Sequence, residues 1–313
     1  MKKILIATDK PFAAMAVKQI AGIIADSGFE IKMLEKYTAK SELLEAVKDV
    51  HAIIIRSDII DREVLEAATK LEIVVRAGAG YDNVDLVAAT EKGVCVMNTP
   101  GQNSNAVAEL AFGMMVYVAR NGYDGSSGVE LKGKKIGIHA YGNVGYCVAT
   151  IAKGFGMEVY AFDPFVSKEK IEADGVKAVD SVEALYSTCD YVSLHLPATA
   201  TTKKSINFEL LNKMPKGGVL VNTARKEVVN EDELLQLMEA RPDFKYVSDI
   251  APDCIGIFEE KYKGRFLFTA KKMGAQTAEA NINSGVAAAR QIVSFFEKGD
   301  QTFRVNSKFV IPS

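Results

Sequence analysis

The chain has no tryptophan and only 3 histidines, 4 cysteines and 8 prolines in 313 residues. Each shortage removes a class of protein. Cys95, Cys147, Cys189 and Cys254 are scattered with no C-x-x-C pairing, which excludes a disulfide framework, offers no metal site, and suits reduced thiols acting as small buried hydrophobes. Charge of one sign is also missing. Lys plus Arg, 38, nearly balances Asp plus Glu, 40, for a formal charge of -2, so neither a nucleic-acid footprint nor a membrane-surface one is expected. No apolar run approaches the roughly 18 residues of a membrane span. The opening "MKKILIATDK" is broken by Asp9 and Lys10 before it reaches leader length and reads as a first strand. A cytoplasmic protein acting on small molecules remains, and 313 residues at 48% hydrophobic can fill two ordinary cores.

What is present is alternation. The runs "KILIAT", "AIIIR", "EIVVRAG" and "VCVMN" are separated by helical segments such as "SELLEAVKDV" and "REVLEAATK", the spacing of βαβ units in a parallel sheet. Residues 104–119, with apolar side chains at 107, 110, 111, 114, 115 and 118, form an amphipathic helix capped by Ser104 or Asn105. The turn-rich "RNGYDGSSGVELKGKK" is the strongest boundary signal. It precedes a second series, "KIGIHA", "EVYAFDP", "YVSLHLP", "GVLVNTA" and "FKYVSDI". A final helix runs from about Thr277 to Lys298, with Gly299 as its stop, and is long enough to return to the first domain, which the tail "DQTFRVNSKFVIPS" completes.

Between the strands "KKIGIHA" and "EVYAFDPF" lies "YGNVG", opening an amphipathic helix. Gly142 and Gly145 supply the second and third glycines of G-x-G-x-x-G, and Ala140 stands at the first, so the tight turn must accommodate a methyl group. Such a loop brings backbone amides and a helix N-terminus to a pyrophosphate. Asp163 lies 18 residues past Gly145 at a strand end, the place of the carboxylate that holds ribose hydroxyls, which favours NAD over NADP.

Three segments carry a more specific resemblance: "RSDIIDREVLEAATKLEIVVRAGAGYDNVDLVAATEKGVCVMNTPGQNSNAVAELAFGMM", "SLHLPATATT" and "NTARKEVVNEDELLQLM". Over roughly residues 50–290 the chain resembles the D-isomer-specific 2-hydroxyacid dehydrogenases, and within them the members that oxidise 3-phospho-D-glycerate with NAD at the entry to serine synthesis. The resemblance implies an α/β fold of two doubly wound parallel-sheet domains. A Rossmann-type NAD-binding domain, 101–283, is inserted in a flavodoxin-like substrate-binding domain, 1–100 and 284–313, and the protein is a homodimer. Arg225 then binds the substrate's carboxylate and carbonyl oxygen, which suits a planar fork. Arg56 and Ser57 take the phosphate end, Ala79 and Gly80 of "AGAG" with Asn103 contact substrate, and Asp249 of "SDIAP" orients the nicotinamide carboxamide. Tyr141, Gly142, Asn143, Val144, Gly145, Asp163, Pro164, His195, Pro197, Thr202 and Thr223 complete the NAD site. Sibling readings are a glyoxylate or hydroxypyruvate reductase and a non-catalytic NAD(H) sensor. The sequence ends at Ser313, too short for the regulatory domains of longer members, and insensitivity to serine is expected.

Two departures mark the chemistry. The family's "TPHIGG", with its histidine base, is replaced by "TAKKMGAQT". Counting back from "GAQTAEA" puts Lys272 on the histidine, with Lys271 beside it and His195 as the rival base. The glutamate that partners the histidine is also gone: Cys254 stands there, and Asp253 is the nearest carboxylate, taken as the third catalytic residue. A lysine base working near neutrality needs its pKa of about 10.4 lowered by burial or by a second cation, and Lys271 is the expected cation. His51 and His139, inside strand-like runs, are expected to be structural.

Overall fold

Strands whose residues are apolar on both faces need helices on both sides, and the aliphatic runs of this chain form strands of that kind. The structure, a computed structural model, describes residues 1–307. It comprises two units, Met1–Asn103 joined by the segment from Gln276, and Ser104–Ala275. In the first unit β1 (Lys3–Thr8), β2 (Glu30–Glu35), β3 (Ala52–Ile55), β4 (Ile73–Arg76) and β5 (Cys95–Asn98) make a parallel sheet in the order β2-β1-β3-β4-β5. That is the flavodoxin-like order, with its switch point between β1 and β3. In the second unit β6 (Lys135–His139), β7 (Glu158–Phe162), β8 (Lys177–Ala178), β9 (Tyr191–Leu194), β10 (Val219–Asn222), β11 (Lys245–Ser248) and β12 (Phe266–Phe268) are ordered β12-β11-β10-β9-β6-β7-β8. Read from its far edge, this is the Rossmann order with one strand added, and its switch point lies between β6 and β9.

Each sheet has a separate core on either face. β3, β5, β9 and β10 are buried at every residue, as strands covered on both sides must be. The side chains that can act are therefore those just past the carboxyl ends, where each strand hands over to a loop.

The chain leaves the first unit after Asn103 and returns at Gln276, whereas the family resemblance places these crossings at 100/101 and 283/284. The final helix, Ala278–Lys298, belongs to the first unit over its whole length, because its buried face, from Ala280 through Ser284 and Ala288 to Ile292, packs with the helix Ala14–Asp26. Its ends are as read from the sequence: Thr277 Oγ1 accepts the Ala280 N–H at 3.1 Å, and Gly299 closes it at φ 68°. The tail docks through Asn306, whose side chain bonds to Val96 N, Val94 O and Thr90 Oγ1. The last residues of the tail, 308–313, lie outside the described residues.

One expectation is displaced. The turn-rich stretch after the helix Ser104–Ala119 is no domain boundary but an internal corner of the second unit. Lys245 of β11 reaches it and donates to Val118 O at 2.8 Å, placing a cation on the helix's final carbonyls, where its dipole is negative. The helix itself begins at Ser104, and Asn105 bonds forward to Glu109 rather than capping.

Candidate functional site

The glycine loop follows β6 at the second sheet's switch point. Ala140 is held at φ 79°, the left-handed region that normally selects glycine, so the methyl is accommodated at the cost of backbone strain. Gly142 caps the helix Asn143–Gly154 with no side-chain hydrogen bond, which leaves the amides of its first turn to an outside anion. Gly145 is where helix and strand pack closest: a Cβ there would stand 2.6 Å from Ala140 O. Asp163, past β7, accepts Tyr141 N–H at 2.7 Å on one oxygen and Phe165 N–H at 2.8 Å on the other. Each oxygen keeps a lone pair for a hydroxyl.

Beside Asp163 opens a cavity of roughly 650 Å³ whose walls include Phe162, Pro164, Leu196, Pro197, Leu210 and Thr202. Thr202 shapes its rim by accepting the Thr199 N–H at 2.7 Å. Next to it stand two imidazoles, His139 buried and His195 half-buried. His139 sits 3.2 Å from the Tyr186 hydroxyl, and burial lowers its pKa to about 4. His195 Nε2 is buried without a hydrogen-bond partner among the described residues, as is Thr223 Oγ1; burial, with His139 beside it, pushes the His195 pKa to about 3. An apolar slot, an uncapped helix start, a ribose-competent carboxylate and two orphaned polar atoms together suit a dinucleotide. Among the described residues no cluster of His, Cys, Asp or Glu could hold a metal ion.

The reactive groups follow β10 and β11. Buried Asn222 folds the turn after β10 by accepting Ala224 N–H at 3.0 Å and donating to Arg225 O at 3.0 Å, leaving the Arg225 side chain exposed. Onto this turn comes Lys272, whose Nζ donates to Ala224 O at 2.7 Å and Thr223 O at 3.2 Å. The residue is exposed, but its amine lies against these two carbonyls, where it is partly desolvated. That desolvation lowers its pKa, the nearby Arg225 lowers it further, and Asp249 and Glu227 oppose the shift. A neutral amine can satisfy both carbonyls and still present a lone pair.

Asp249 fastens the segment that carries Lys272. Its two oxygens accept Thr269 Oγ1–H at 3.0 Å and the N–H groups of Met273 and Gly274, both at 2.7 Å. Gly274 is required there, since a Cβ would come within 2.9 Å of Asp249 Oδ2. Ile250 next to it is strained at φ 136°, the kind of cost that is retained where geometry serves a site.

Three sequence expectations are corrected. The cation bearing on Lys272 is Arg225, and Lys271 is not among the charges that shift it. Asp253 does not face Lys272 but pairs with Lys226 at 2.6 Å on the surface. The carboxylate beside Cys254 is Glu231, which accepts the Asp253 and Cys254 N–H groups at 3.2 Å; burial, with Glu231 adding to it, raises the Cys254 thiol to about 12. His195, neutral and with so low a pKa, is a poor proton acceptor beside Lys272.

The expected substrate residues lie in the first unit. Arg56 and Ser57 follow β3, Ala79 and Gly80 follow β4, and Asn103 precedes the crossing. Asn98 Nδ2 donates to Ala79 O at 2.7 Å and shapes the "AGAG" loop. Arg56 spreads its guanidinium over the carbonyls of Lys10 (3.0 Å) and Pro11 (3.3 Å) and over Asn281 Oδ1 (2.6 Å). Arg76, which the sequence did not single out, donates from Nε to Arg56 O at 3.0 Å.

Residues 103–253 match the family model described as the NAD-binding domain of D-isomer-specific 2-hydroxyacid dehydrogenases. The solved structure of NAD+-bound 3-phosphoglycerate dehydrogenase from Entamoeba histolytica superposes with a TM-score of 0.85 at 46% identity, covering 98% of this chain and 99% of that one. The chain belongs to the D-isomer-specific 2-hydroxyacid dehydrogenase family. It is 35% identical to D-3-phosphoglycerate dehydrogenase of Methanocaldococcus jannaschii over 81% of this chain and 51% of that protein. It is also 33% identical to hydroxypyruvate reductase of Thermotoga maritima, over 84% and 90%. The chain spans about half the length of the first curated relatives it matches, 51% and 57%.

A family member with this loop should be intolerant at Gly145. Gly145→Ala, 2.6 Å from a backbone oxygen, is expected to cost about 1–3 kcal/mol of overpacking. Relief must come by moving the helix start, which misaims its amides. The Kd for NADH, read by titration calorimetry, should rise roughly 10-fold or more, equivalent to about 1.4 kcal/mol; an unchanged Kd would mean the loop does not hold the pyrophosphate.

Proposed function

We propose that this chain catalyses the NAD-dependent oxidation of 3-phospho-D-glycerate to 3-phosphohydroxypyruvate, the first step of serine biosynthesis. The observation that carries the reading is the Lys272 amine with its lowered pKa, seated on the Arg225 turn. NAD, when bound, supplies the acceptor for the C2 hydride. Lys272, as the free amine, takes the C2 hydroxyl proton. Arg225 holds the carboxylate and the oxygen that becomes the carbonyl, so a planar donor fork meets charge where it develops. Arg56, whose guanidinium donates only to neutral acceptors, holds its charge for the phosphate, with Ser57 beside it. Ala79, Gly80 and Asn103 receive the rest of the substrate. The NAD residues named from the sequence keep their roles, with Asp163 on the ribose and Asp249 on the nicotinamide carboxamide, and Asp249 has the added part of holding the Lys272 segment.

The likeness to 3-phosphoglycerate dehydrogenase of Entamoeba histolytica over the whole of both chains supports the substrate. The reading includes a homodimer in the reducing cytoplasm, in keeping with four unpaired cysteines, and small-molecule partners without nucleic acid or membrane. No helix among the described residues is long and apolar enough to cross a bilayer. A second reading, reduction of hydroxypyruvate, is favoured by the match to nearly all of the Thermotoga maritima reductase. Initial rates of NADH formation with 3-phospho-D-glycerate, set against NADH consumption with hydroxypyruvate, decide between them. A kcat/KM at least about 100-fold higher for the phosphorylated pair, a charge-pair discrimination of about 3 kcal/mol, is expected; equal values would favour the reductase, and no turnover with either would sink the enzymatic reading.

A further inference from the structure

A buried carboxylate beneath Arg56 has no role in the chemistry above. Asp58 is 4% exposed, and its three hydrogen bonds all come from neutral donors. Oδ1 accepts the Asp9 N–H at 2.8 Å and the Tyr37 hydroxyl at 2.7 Å, and Oδ2 accepts the Arg56 N–H at 3.1 Å. These donors sit just past β1, β2 and at the end of β3, which are neighbours in the sheet. One carboxylate therefore ties three strand ends together at the edge where ligands bind in such folds.

The tie reaches the guanidinium by two routes. Asp58 fixes the Arg56 main chain, whose carbonyl is held from the other side by Arg76 Nε at 3.0 Å and Asn83 Nδ2 at 3.2 Å. Through Asp9 it also fixes the start of the segment whose next carbonyls, Lys10 O and Pro11 O, receive Arg56 Nη1. Asn281 Oδ1 takes Nη2 at 2.6 Å, and the group lies over the Phe12 ring at 5.3 Å. Nε–H and one Nη2 proton have no protein partner among the described residues, so two donors remain for an anion. An arginine free in solution would have to order several torsions on binding; this one is ordered beforehand, which raises affinity without adding a contact.

We propose that Asp58 and Asn281 are positioning residues that hold the Arg56 guanidinium for the phosphate end of the substrate and so set the preference for phosphorylated over unphosphorylated 2-oxo acids. This rests on the phosphate reading of Arg56. The test is the ratio of kcat/KM for 3-phosphohydroxypyruvate to that for hydroxypyruvate, with NADH, in wild type, Arg56→Ala, Asp58→Asn and Asn281→Ala. Asn281 lies on the face of a helix, and its variant keeps the experiment decisive even where Asp58→Asn fails to fold. The ratio is expected to fall about 3–10-fold in each positioning variant, through KM for the phosphorylated substrate, the effect of one side chain left to be ordered on binding. The fall should be larger in Arg56→Ala. A selective loss in Arg56→Ala with wild-type ratios in both others overturns the positioning role and leaves the phosphate reading standing. An unchanged ratio in Arg56→Ala overturns both. Equal losses on the two substrates in Asp58→Asn and Asn281→Ala would show that they support the fold alone.

Discussion

Lys272→Ala is expected to lower kcat for 3-phospho-D-glycerate oxidation by about 10²–10⁴-fold, the range of a lost general base, while Lys271→Ala stays within roughly 2-fold of wild type, as a solvated surface residue should. The two lysines are adjacent in sequence but differ in surroundings. Lys272 Nζ rests on two carbonyls of the Arg225 turn, while the Lys271 side chain has no hydrogen-bond partner among the described residues. A base must be deprotonated to act, so activity should climb with pH through the pKa of Lys272. Because desolvation and Arg225 lower that pKa from 10.5, the rise should be centred below the value of a free lysine. Lys272→Arg separates charge from proton transfer: the guanidinium keeps the cation but does not deprotonate in this range, so it should be as inactive as the alanine variant. An active Lys272→Arg would show that the lysine serves as a charge and that the base lies elsewhere.

Removing the Arg225 fork should produce a comparable loss with a different signature. Arg225→Gln is expected to lower kcat/KM by about 10²–10³-fold, the usual consequence of deleting a donor aimed at developing charge. It should also shift the rising limb of the pH profile upward, because a positive charge that lowers the Lys272 pKa is gone. Arg225→Lys keeps the charge and loses the bidentate geometry, so the limb should stay near its wild-type position while kcat/KM still falls. Rate–pH profiles of the three proteins check this directly. A limb that does not move in Arg225→Gln would uncouple the two residues.

Much of the site was legible in the chain because its signals are local. A glycine must stand where a helix start meets a strand, as at Gly145, and an aspartate at the end of the next strand is read from spacing alone. Thr277 and Gly299 as helix ends, and Arg225 after a strand, are of the same kind. The misreadings are all questions of which side chains face each other across the fold. Asp253 is two positions from Ala251 in sequence, but its carboxylate points to Lys226. Adjacency in the chain points to Lys271 as the second cation, although neighbours in a turn diverge. Arg76, Asn222 and Asp58 carried no pattern that separates them from ordinary strand-end polar residues.

The fold class, the parallel order of elements and the dinucleotide loop follow from periodicity and motif, since backbone sterics and apolar repeat act over a few residues, and the candidate base follows from the family resemblance of the segment that carries it. The partner of Lys272, the burial that lowers its pKa, the neutral cradle of Arg56 and the three-way tie at Asp58 are set by residues far apart in sequence, such as Arg56 and Asn281 at a separation of 225. Only the packed sheet brings such residues within a hydrogen bond, because electrostatic and hydrogen-bonding energies depend on distance in space and on exclusion of water, neither of which is written along the chain.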